Sequence, residues 1–438
     1  MAERLFVLPF PDHHLVYAPL RGLVLLVPER LPLAPRVRAA LADWPPVTAP
    51  APRSGALAPD FLGLVPTRVC NLDCGYCDFR GEAASGVMPA ELACAGVALM
   101  AELARGRPDG ILAIHFFGGE PLLAWDLLGL VVERARAEAR RHGLRAYFEL
   151  STNGVCDPGQ AEWLGATMHR VVLSLDGGPR EQDRQRPRPG GGASSATVER
   201  TAAILGESTA ELCLRLCVTA EGLPRLGANV RRFVARYRPS AIAIEPLVVA
   251  SGREPGPFGV PDPWSLARVH AEAARYCRSH GVDLLLSGTD LDQRDSSLCP
   301  VARDGLILHP DGRLSACYLP AQRWRSRGLE LAFGTLVADS GFRLDQHRLT
   351  AIRALGVDRY PRCRDCFCRW HCAGGCHVAQ GHPGNREPRD ARCRLIRAVT
   401  YWKLLDRLGA DQVAADFLAG PEPSLSERIL VLDAGCAA

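Results

Sequence analysis

Residues 70–77 read Cys-Asn-Leu-Asp-Cys-Gly-Tyr-Cys and place Cys70, Cys74 and Cys77 in the pattern C-x3-C-x2-C. Three thiolates on one short loop can hold one corner of a cubane [4Fe–4S] cluster, which otherwise takes four cysteine ligands. Three protein ligands leave one iron open to a small molecule, which indicates a reactive centre. The alternatives at this point are a zinc site that takes a fourth ligand from elsewhere, or three unrelated cysteines.

The segments around this loop alternate between strand-like and helix-like patterns. Nearly continuous apolar runs predict strands at 62–67, 111–118, 146–152, 170–176, 212–219 and 241–247, and amphipathic stretches lie between them. Buried strands separated by helices are typical of a parallel sheet with crossover helices. Six such units predict an α/β fold, an open partial (β/α)6 barrel, whose ligand site lies at the carboxyl ends of its strands.

Further motifs at these strand ends make the chain resemble the radical S-adenosylmethionine (SAM) superfamily. An aromatic residue precedes the third cysteine, and the segments 118–121 (GGEP), 151–154 (STNG) and 174–177 (SLDG) follow in the family's order, each at a predicted strand end. A lone GGEP or STNG would be a weak signal, whereas the ordered set is specific. The resemblance implies a SAM site formed by Tyr76, Gly118, Gly119, Glu120, Pro121, Ser151, Asn153, Ser174, Asp176 and Arg215.

The resemblance also implies a reaction. In this superfamily the open iron binds SAM, one electron from the cluster cleaves SAM, and the resulting 5′-deoxyadenosyl radical abstracts hydrogen from an inert C–H bond. A flavodoxin or ferredoxin is the expected reductant. The protein orients the reactants and excludes water and oxygen.

A second group of cysteines lies between residues 286 and 395. The pattern Gly-x4-Cys followed by C-x2-C-x5-C-x3-C and a further cysteine resembles the SPASM domain, a C-terminal extension of radical SAM enzymes that carries auxiliary [4Fe–4S] clusters. The resemblance implies one cluster on Cys363, Cys366, Cys372 and Cys393 and another on Cys299, Cys317 and Cys376, for three clusters in total.

Two questions about this region stay open. The fourth ligand at the Cys299 group is absent from the pattern, so Asp292, Asp295 or Cys277 replaces it or one iron is open. Two zinc sites would fit the same spacings. The extra thiol, Cys368, is expected to be a buried spare.

Three residues are candidates for catalytic roles. Asp183 and Arg186 form a D-x2-R pattern seen in peptide-modifying relatives, although a solvated arginine-rich loop explains them equally well. Tyr318 follows the auxiliary Cys317, at a place where sulfatase-maturing relatives carry an aspartate base. His115 and Glu245 lie on predicted strands and could face the barrel interior, but each is more often a satisfied buried polar group.

The predicted domains are a small β-rich N-terminal domain (1–60), the barrel (61–285), the cysteine-rich domain (286–395) and a C-terminal helix with a tail (396–438). The N-terminal part consists of three strand-like runs and a helix-like stretch at 37–44. Its sheet either caps the barrel or accepts an extended peptide as an added strand. One convincing helix is expected over 399–418.

Composition excludes several classes of protein. The 438 residues carry 52 Lys plus Arg against 48 Asp plus Glu, a net charge of +4, which gives no electrostatic case for nucleic acid or an anionic membrane as partner. Seventeen cysteines without a secretory signal or a long apolar segment indicate cytoplasmic metal chemistry. Lys403 is the sole lysine, which argues against Schiff-base chemistry.

The sequence therefore predicts a cytoplasmic radical SAM/SPASM enzyme that modifies a ribosomally made precursor peptide by forming a carbon–carbon, thioether or related oxidised linkage. The alternatives are a sulfatase-type formylglycine maturase, a peptide epimerase, a small-molecule radical SAM dehydrogenase, and a non-catalytic iron–sulfur or zinc module. Tyr318 and the missing cysteine disfavour the first of these.

Overall fold

The computed structural model describes residues 4–29, 33, 35–37, 47–79, 86–248, 256–337, 341–380, 389–422 and 430–433. The helix expected over 37–44 lies, apart from Val37, outside these residues. No helix in the described part of the chain is both long enough and apolar enough to cross a membrane.

A small antiparallel sheet begins the chain, with strands β1 (Arg4–Phe10), β2 (His13–Ala18) and β3 (Leu23–Pro28) joined by tight turns. Successive side chains of a strand point to opposite faces, and here both faces are covered. Leu5 and Val7 pack in a small cluster with Val37, whereas Phe6 and Leu8 pack into the main core.

Seven parallel strands form the centre of the molecule: β4 (Leu62–Leu64), β5 (Ile111–Phe116), β6 (Arg145–Thr152), β7 (Arg170–Ser174), β8 (Glu211–Val218), β9 (Ala241–Pro246) and β10 (Asp283–Leu285). The first six correspond to the six predicted strands, and the predicted α/β fold is confirmed. β10 extends the sheet by one short strand that the sequence analysis missed.

Helices connect these strands and bury one face of the sheet. They span Ala90–Ala104, Trp125–His142, Pro158–Thr167, Pro179–Gln185, Ser195–Gly206, Leu226–Tyr237 and Pro263–Ser279, and a short 3-10 turn spans Pro121–Ala124. The outer-face residues Ile114, Leu150 and Leu214 are fully buried beneath them. At the start of Pro158–Thr167, the Asp157 and Gln160 side chains form a capping box.

The cysteine-rich segment is more regular than its sequence suggests. β11 (Leu306–Leu308) pairs in parallel with β4, and β12 (Arg313–Ser315), β13 (Ala332–Val337) and β14 (Gly341–Leu344) follow antiparallel, so that one sheet of eleven strands runs in the order β10-β9-β8-β7-β6-β5-β4-β11-β12-β13-β14. Short helices span Ala321–Arg325, Gln346–Arg353, Arg369–Cys372 and His377–Gln380. Cys317 thus lies just after a strand, β12, that continues the barrel sheet.

The prediction of a single helix over 399–418 is wrong. Helices span Arg389–Arg407 and Asp411–Ala419, and Gly409 separates them with a φ of 65°. The Ala410 N–H donates to the Leu405 carbonyl, which closes the first helix in the manner of a glycine C-cap. Strand β15 (Leu430–Asp433) then pairs antiparallel with β1, so the tail joins the N-terminal sheet.

The N-terminal sheet lies against the cysteine-rich segment and the helix that follows it. Arg294 Nε donates to the Pro19 carbonyl at 3.1 Å, and the Tyr401 hydroxyl donates to the Pro9 carbonyl. Leu20 packs in a small cluster with Val357 and Trp370. These contacts place the sheet beside the cysteine-rich segment.

Candidate active site and auxiliary cysteine sites

The loop that follows β4 gathers Cys70, Cys74 and Cys77. Burial raises the pKa of Cys70, and raises the pKa of Cys74 to about 12, and the thiol of Cys77 contributes to both increases. Two donors point at the Cys70 sulfur, the Leu72 N–H at 3.5 Å and the Asn153 amide at 3.6 Å. Buried thiolates close to one another are costly unless a cation joins them, and donors aimed at sulfur are typical of iron–sulfur ligands. The loop therefore fits a cluster.

Glu120 joins the ends of two neighbouring strands beside this loop. Its carboxylate is fully buried and accepts hydrogen bonds from the Asn153 N–H (2.7 Å), the Thr152 hydroxyl (2.8 Å) and the Leu122 N–H (3.1 Å). Burial raises its pKa to about 7, against the lowering effect of these donors. Glu120 thus fixes the backbone on which the Asn153 amide reaches Cys70.

Gly119 permits the strand end to lie on the cysteine loop. Its N–H donates to the Thr67 carbonyl at 3.0 Å, and a Cβ at this position would collide with the carbonyl oxygens of Arg68 and Val69. Gly118 has a φ of 158° and lies close to the Thr67 carbonyl. Pro121 begins the following 3-10 turn, where its missing N–H is not needed. The GGEP segment therefore acts chiefly through its backbone.

Tyr76, Asp176 and Arg186 form a buried network on the other side of the loop. The Tyr76 hydroxyl donates to Asp176, and the Arg186 guanidinium pairs with the same carboxylate at 3.0 Å and lies 5.5 Å from the centre of the Tyr76 ring. The Cys217 N–H donates to Asp176 at 2.9 Å. The network ties the cysteine loop to the ends of β7 and β8.

Ser151, Ser174 and Arg215 face away from the helices. They alternate along β6, β7 and β8 with buried leucines, and the register places Arg215 beside Ser174. The Arg215 side chain is exposed at this point. The three residues therefore line the open side of the barrel near the cysteine loop, where the sequence analysis expected the SAM site.

Asp183 lies in the helix Pro179–Gln185, and its carboxylate faces the start of the helix Ser195–Gly206. Its carboxylate accepts from the Ser194 N–H (2.8 Å), the Ser195 N–H (2.7 Å) and the Ser195 hydroxyl (2.8 Å). These bonds satisfy free backbone donors at the start of the helix Ser195–Gly206, as a capping residue does. Asp183 shapes the loop, whereas Arg186 from the same pattern contacts the Tyr76 network.

The first predicted auxiliary group surrounds one cavity. The cavity is lined by Cys363, Cys366, Cys368, Cys372 and Cys393 together with Arg362, Arg369, Gly374, Arg392, Ile396 and Arg397. A hydrogen bond from Cys368 and the charge of Arg397 lower the pKa of Cys366 to about 6. The four predicted ligands share one site, and Cys368 lies beside them as a donor to Cys366.

The second predicted auxiliary group brings Cys299, Cys317 and Cys376 together. Burial and the thiol of Cys376 raise the pKa of Cys299 to about 12, and the same two causes raise the pKa of Cys317. Within the described part of the chain, no set of three or more His, Cys, Asp or Glu side chains is arranged to hold a single metal ion. The fit of the three groups to clusters therefore rests on the gathering of their cysteines and, at Cys70 and Cys366, on donors at sulfur.

The proposed substitutes for a fourth ligand have other partners. Asp292 pairs with Arg407 at 2.6 Å, and Asp295 pairs with Arg303 at 2.6 Å. Cys277 lies fully buried in the helix Pro263–Ser279. These contacts favour the alternative in which the site on Cys299, Cys317 and Cys376 has three protein ligands.

A row of aromatic rings connects the first cysteine loop with this auxiliary group. Phe79 contacts Phe117 with ring centres 4.8 Å apart, and Phe117 contacts Tyr318 at 4.8 Å. Each ring is partly exposed. The Tyr318 hydroxyl lies directly over Gly63 of β4, where a Cβ would collide with it. Phe79 and Phe117 were not among the predicted site residues, although Phe117 directly precedes the GGEP segment and Phe79 lies two residues after Cys77.

Polar side chains lie deeper in the barrel. His115 stacks on Phe61 with ring centres 4.0 Å apart and lies 4.0 Å from the Glu149 carboxylate. Burial lowers the pKa of His115 to about 4 and raises the pKa of Glu149. Glu245 accepts a hydrogen bond from Ser287. His115 therefore faces the interior as a neutral ring.

Comparisons with known proteins agree with this geometry. The model of the radical SAM superfamily matches residues 64–218. The GTP 3′,8-cyclase of Mycobacterium ulcerans is 39% identical over 129 residues, which cover 28% of this chain and 33% of that protein. The match thus spans about a third of the length of that relative.

Solved structures with the same fold extend over more of the chain. Native anSMEcpe with bound AdoMet superposes with a TM-score of 0.63 at 17% identity, covering 81% of this chain and 99% of that one. Streptococcus suis SuiB bound to the precursor peptide SuiA gives a TM-score of 0.54 at 15% identity, covering 77% of this chain and 76% of that one. At such identities the likeness establishes the fold alone.

Proposed function

We propose that the chain is a radical SAM enzyme with one SAM-binding and two auxiliary [4Fe–4S] clusters that modifies a ribosomally made precursor peptide. The proposed product is a carbon–carbon or thioether cross-link or a related oxidised linkage. The observation that carries this proposal is the gathering of ten cysteines at three sites, two of which are joined by the row Phe79, Phe117 and Tyr318.

The chain's own residues bind and orient the reactants in this proposal. When bound, the clusters and SAM supply a 5′-deoxyadenosyl radical and an acceptor for the electron that a closing linkage releases. Cys70, Cys74 and Cys77 hold the reactive cluster, and the GGEP backbone, Ser151, Ser174 and Arg215 orient SAM across the strand ends. The buried hydrogen bonds of Glu120, Asp176 and Arg186 hold the cysteine loop and the strand ends in place.

The partly exposed rings of Phe79, Phe117 and Tyr318 beside the reactive loop suit an apolar part of the substrate. Burial raises the pKa of the Tyr318 phenol, so the hydroxyl is protonated and can act as a donor. An ionised base is absent from that position, which disfavours a formylglycine-type reaction. The solved structures that share the fold include SuiB with its precursor peptide SuiA and anSMEcpe with the Cp18Cys peptide, which supports a peptide substrate.

The N-terminal sheet offers a place for the rest of a peptide. β15 pairs with one edge strand, β1, whereas β3 forms the opposite edge of the sheet within the described residues. Edge strands present unpaired backbone groups that can bind an extended peptide. A flavodoxin or ferredoxin in the cytoplasm is the proposed reductant.

A second candidate comes from the sequence relative. Its name describes cyclisation of GTP, and its identity of 39% supports a small nucleotide as an alternative substrate. The two candidates differ in the molecule that loses hydrogen.

One experiment distinguishes them. Anaerobically reconstituted, reduced protein is incubated with SAM and either GTP or a peptide encoded by any short open reading frame that is found beside the gene. The proposal expects 5′-deoxyadenosine and a peptide that has lost two hydrogen atoms, with unchanged GTP. Modified GTP with an unmodified peptide would contradict it, and failure to form 5′-deoxyadenosine would favour a non-catalytic iron–sulfur or zinc protein. Tyr318→Phe is the matched variant: it keeps the ring row and is expected to cleave SAM normally while losing peptide product.

A further inference from the structure

Arg68 connects the reactive cysteine loop to the auxiliary cysteine turn. It lies two residues before Cys70, its residue is 7% exposed, and its guanidinium donates to the Tyr318 carbonyl at 2.8 Å and to His309 Nδ1 at 2.7 Å. Tyr318 itself directly follows the predicted ligand Cys317. One side chain thus spans the two predicted centres.

His309 continues this connection. Its Nε2 lies 2.7 Å from the Ser315 hydroxyl, which donates to the Cys317 carbonyl at 2.8 Å. A guanidinium can only donate, so Nδ1 of His309 is the acceptor and carries no proton. The ring proton therefore lies on Nε2 and is donated to Ser315.

The chain of hydrogen bonds therefore has one direction. It runs from Arg68 through His309 and Ser315 to the Cys317 carbonyl, while a second bond from Arg68 reaches the next carbonyl, that of Tyr318. Two successive carbonyls of the auxiliary turn are held by one cation. A bond pattern of this kind fixes the turn in space and keeps a positive charge close to it.

We propose that Arg68 is a positioning residue that holds the Cys317–Tyr318 turn in register with the reactive loop and raises the reduction potential of the auxiliary site on Cys299, Cys317 and Cys376. The inference rests on the proposed clusters at these cysteines. A nearby positive charge stabilises the reduced, more negative form of a cluster, and net charge and hydrogen bonding set cluster potentials. Arg68 would then connect the geometry of the reactive loop to the reduction potential of the auxiliary site on Cys299, Cys317 and Cys376.

The predicted auxiliary site on Cys363, Cys366, Cys372 and Cys393 is a natural control, because a different arginine lies beside it. Arg397 contributes positive charge and a hydrogen bond at Cys366, within the cavity that holds all four predicted ligands of this site. Removing Arg68 should therefore affect one auxiliary site and leave the other unchanged. Arg397→Met should give the reverse result.

The experiment is a redox titration followed by electron paramagnetic resonance. Replacing Cys70, Cys74 and Cys77 by Ala in the full-length protein leaves only the auxiliary signals. In that background Arg68→Met should lower the midpoint potential of one signal and leave the second unmoved. Arg68→Lys, which keeps the charge, should restore most of the potential.

A second readout separates positioning from charge. Amide hydrogen exchange over residues 315–320 should be faster in Arg68→Lys and in Ser315→Ala, because each loses part of the hydrogen-bond chain while the charge remains. Ser315→Ala also serves if Arg68→Met fails to fold. Two auxiliary signals with unchanged potentials, or equal shifts in both, would overturn this inference alone. An iron content without auxiliary clusters would overturn the proposed function and this inference together.

Discussion

Replacing Glu120 by Gln tests how the strand ends support the reactive loop. The Gln side chain keeps the shape of Glu, and its oxygen can still accept from Thr152 and Leu122 at the place of Oε1. Its amide nitrogen would then face the Asn153 N–H, which now donates to Oε2 at 2.7 Å. Two donors would meet in a fully buried site.

The cost follows from that clash. A buried donor left without its acceptor costs about 1–3 kcal/mol, which corresponds to an increase of roughly 5-fold to 150-fold in the population of the locally open state. The opening begins at the strand end, at Asn153, because the other hydrogen bonds of Glu120 persist. Asn153 carries the amide that reaches the Cys70 sulfur at 3.6 Å, so the opening spreads to the reactive loop.

Hydrogen exchange of the peptide that contains Asn153 measures this effect directly. At about pH 8, above the pKa of about 7 to which burial raises Glu120, the carboxylate is ionised and the difference between wild type and variant is largest. The difference in exchange between wild type and variant should become smaller at about pH 6, because Glu120 is then protonated and its carboxyl is a weaker acceptor. Glu138→Gln, at a glutamate that is 4% exposed and pairs with Arg134, is the matched control and should leave this peptide unchanged. Exchange within twofold of wild type at about pH 8 would refute the reasoning.

The remaining predictions concern stability. His270 is fully buried, neither of its ring nitrogens has a hydrogen-bond partner among the described residues, and burial lowers its pKa to about 3. The unfolded chain therefore takes up a proton at His270 as pH falls below about 6.5, which lowers the free energy of unfolding by about 1.4 kcal/mol at pH 5.5. At that pH His270→Leu should have a higher melting temperature than wild type, whereas His280→Leu, at an exposed site, should not. Equal melting temperatures of the two variants would contradict this. Arg353→Met removes the partner of buried Asp304, bonded at 2.6 Å and 2.8 Å, and should lower the free energy of unfolding by about 3–5 kcal/mol; a loss below about 1 kcal/mol would contradict this.

The elements with strong local signals were predictable from the sequence. The six strands of the barrel are nearly continuous apolar runs, and their ends carry glycine-containing motifs that mark the site. Gly119 illustrates the physical reason, since its lack of a Cβ lets the strand end contact the carbonyl oxygens of Arg68 and Val69. Local constraints of this kind determine the residue type at a position and can therefore be recognised in the sequence.

Other features depend on contacts between segments that are distant in the sequence, and such contacts give only a weak local signal. The strands β11 and β12 have three residues each and gain their order from pairing with β4 and with each other. Asp183 belongs to the D-x2-R pattern, but its carboxylate accepts hydrogen bonds from backbone N–H groups eleven and twelve residues away, which the pattern does not indicate. Arg68 contacts Tyr318 across 250 residues, and one arginine among many gives no sequence signal.

The most direct test of the account is the yield of 5′-deoxyadenosine from anaerobically reconstituted, reduced protein supplied with SAM. The account predicts 5′-deoxyadenosine from the wild-type protein and none when Cys70, Cys74 and Cys77 are replaced by Ala. It also predicts an iron content of roughly eleven or twelve atoms per wild-type chain, as three cubane clusters require. Wild-type protein that carries iron but forms no 5′-deoxyadenosine, or a triple variant with an unchanged yield, would contradict it.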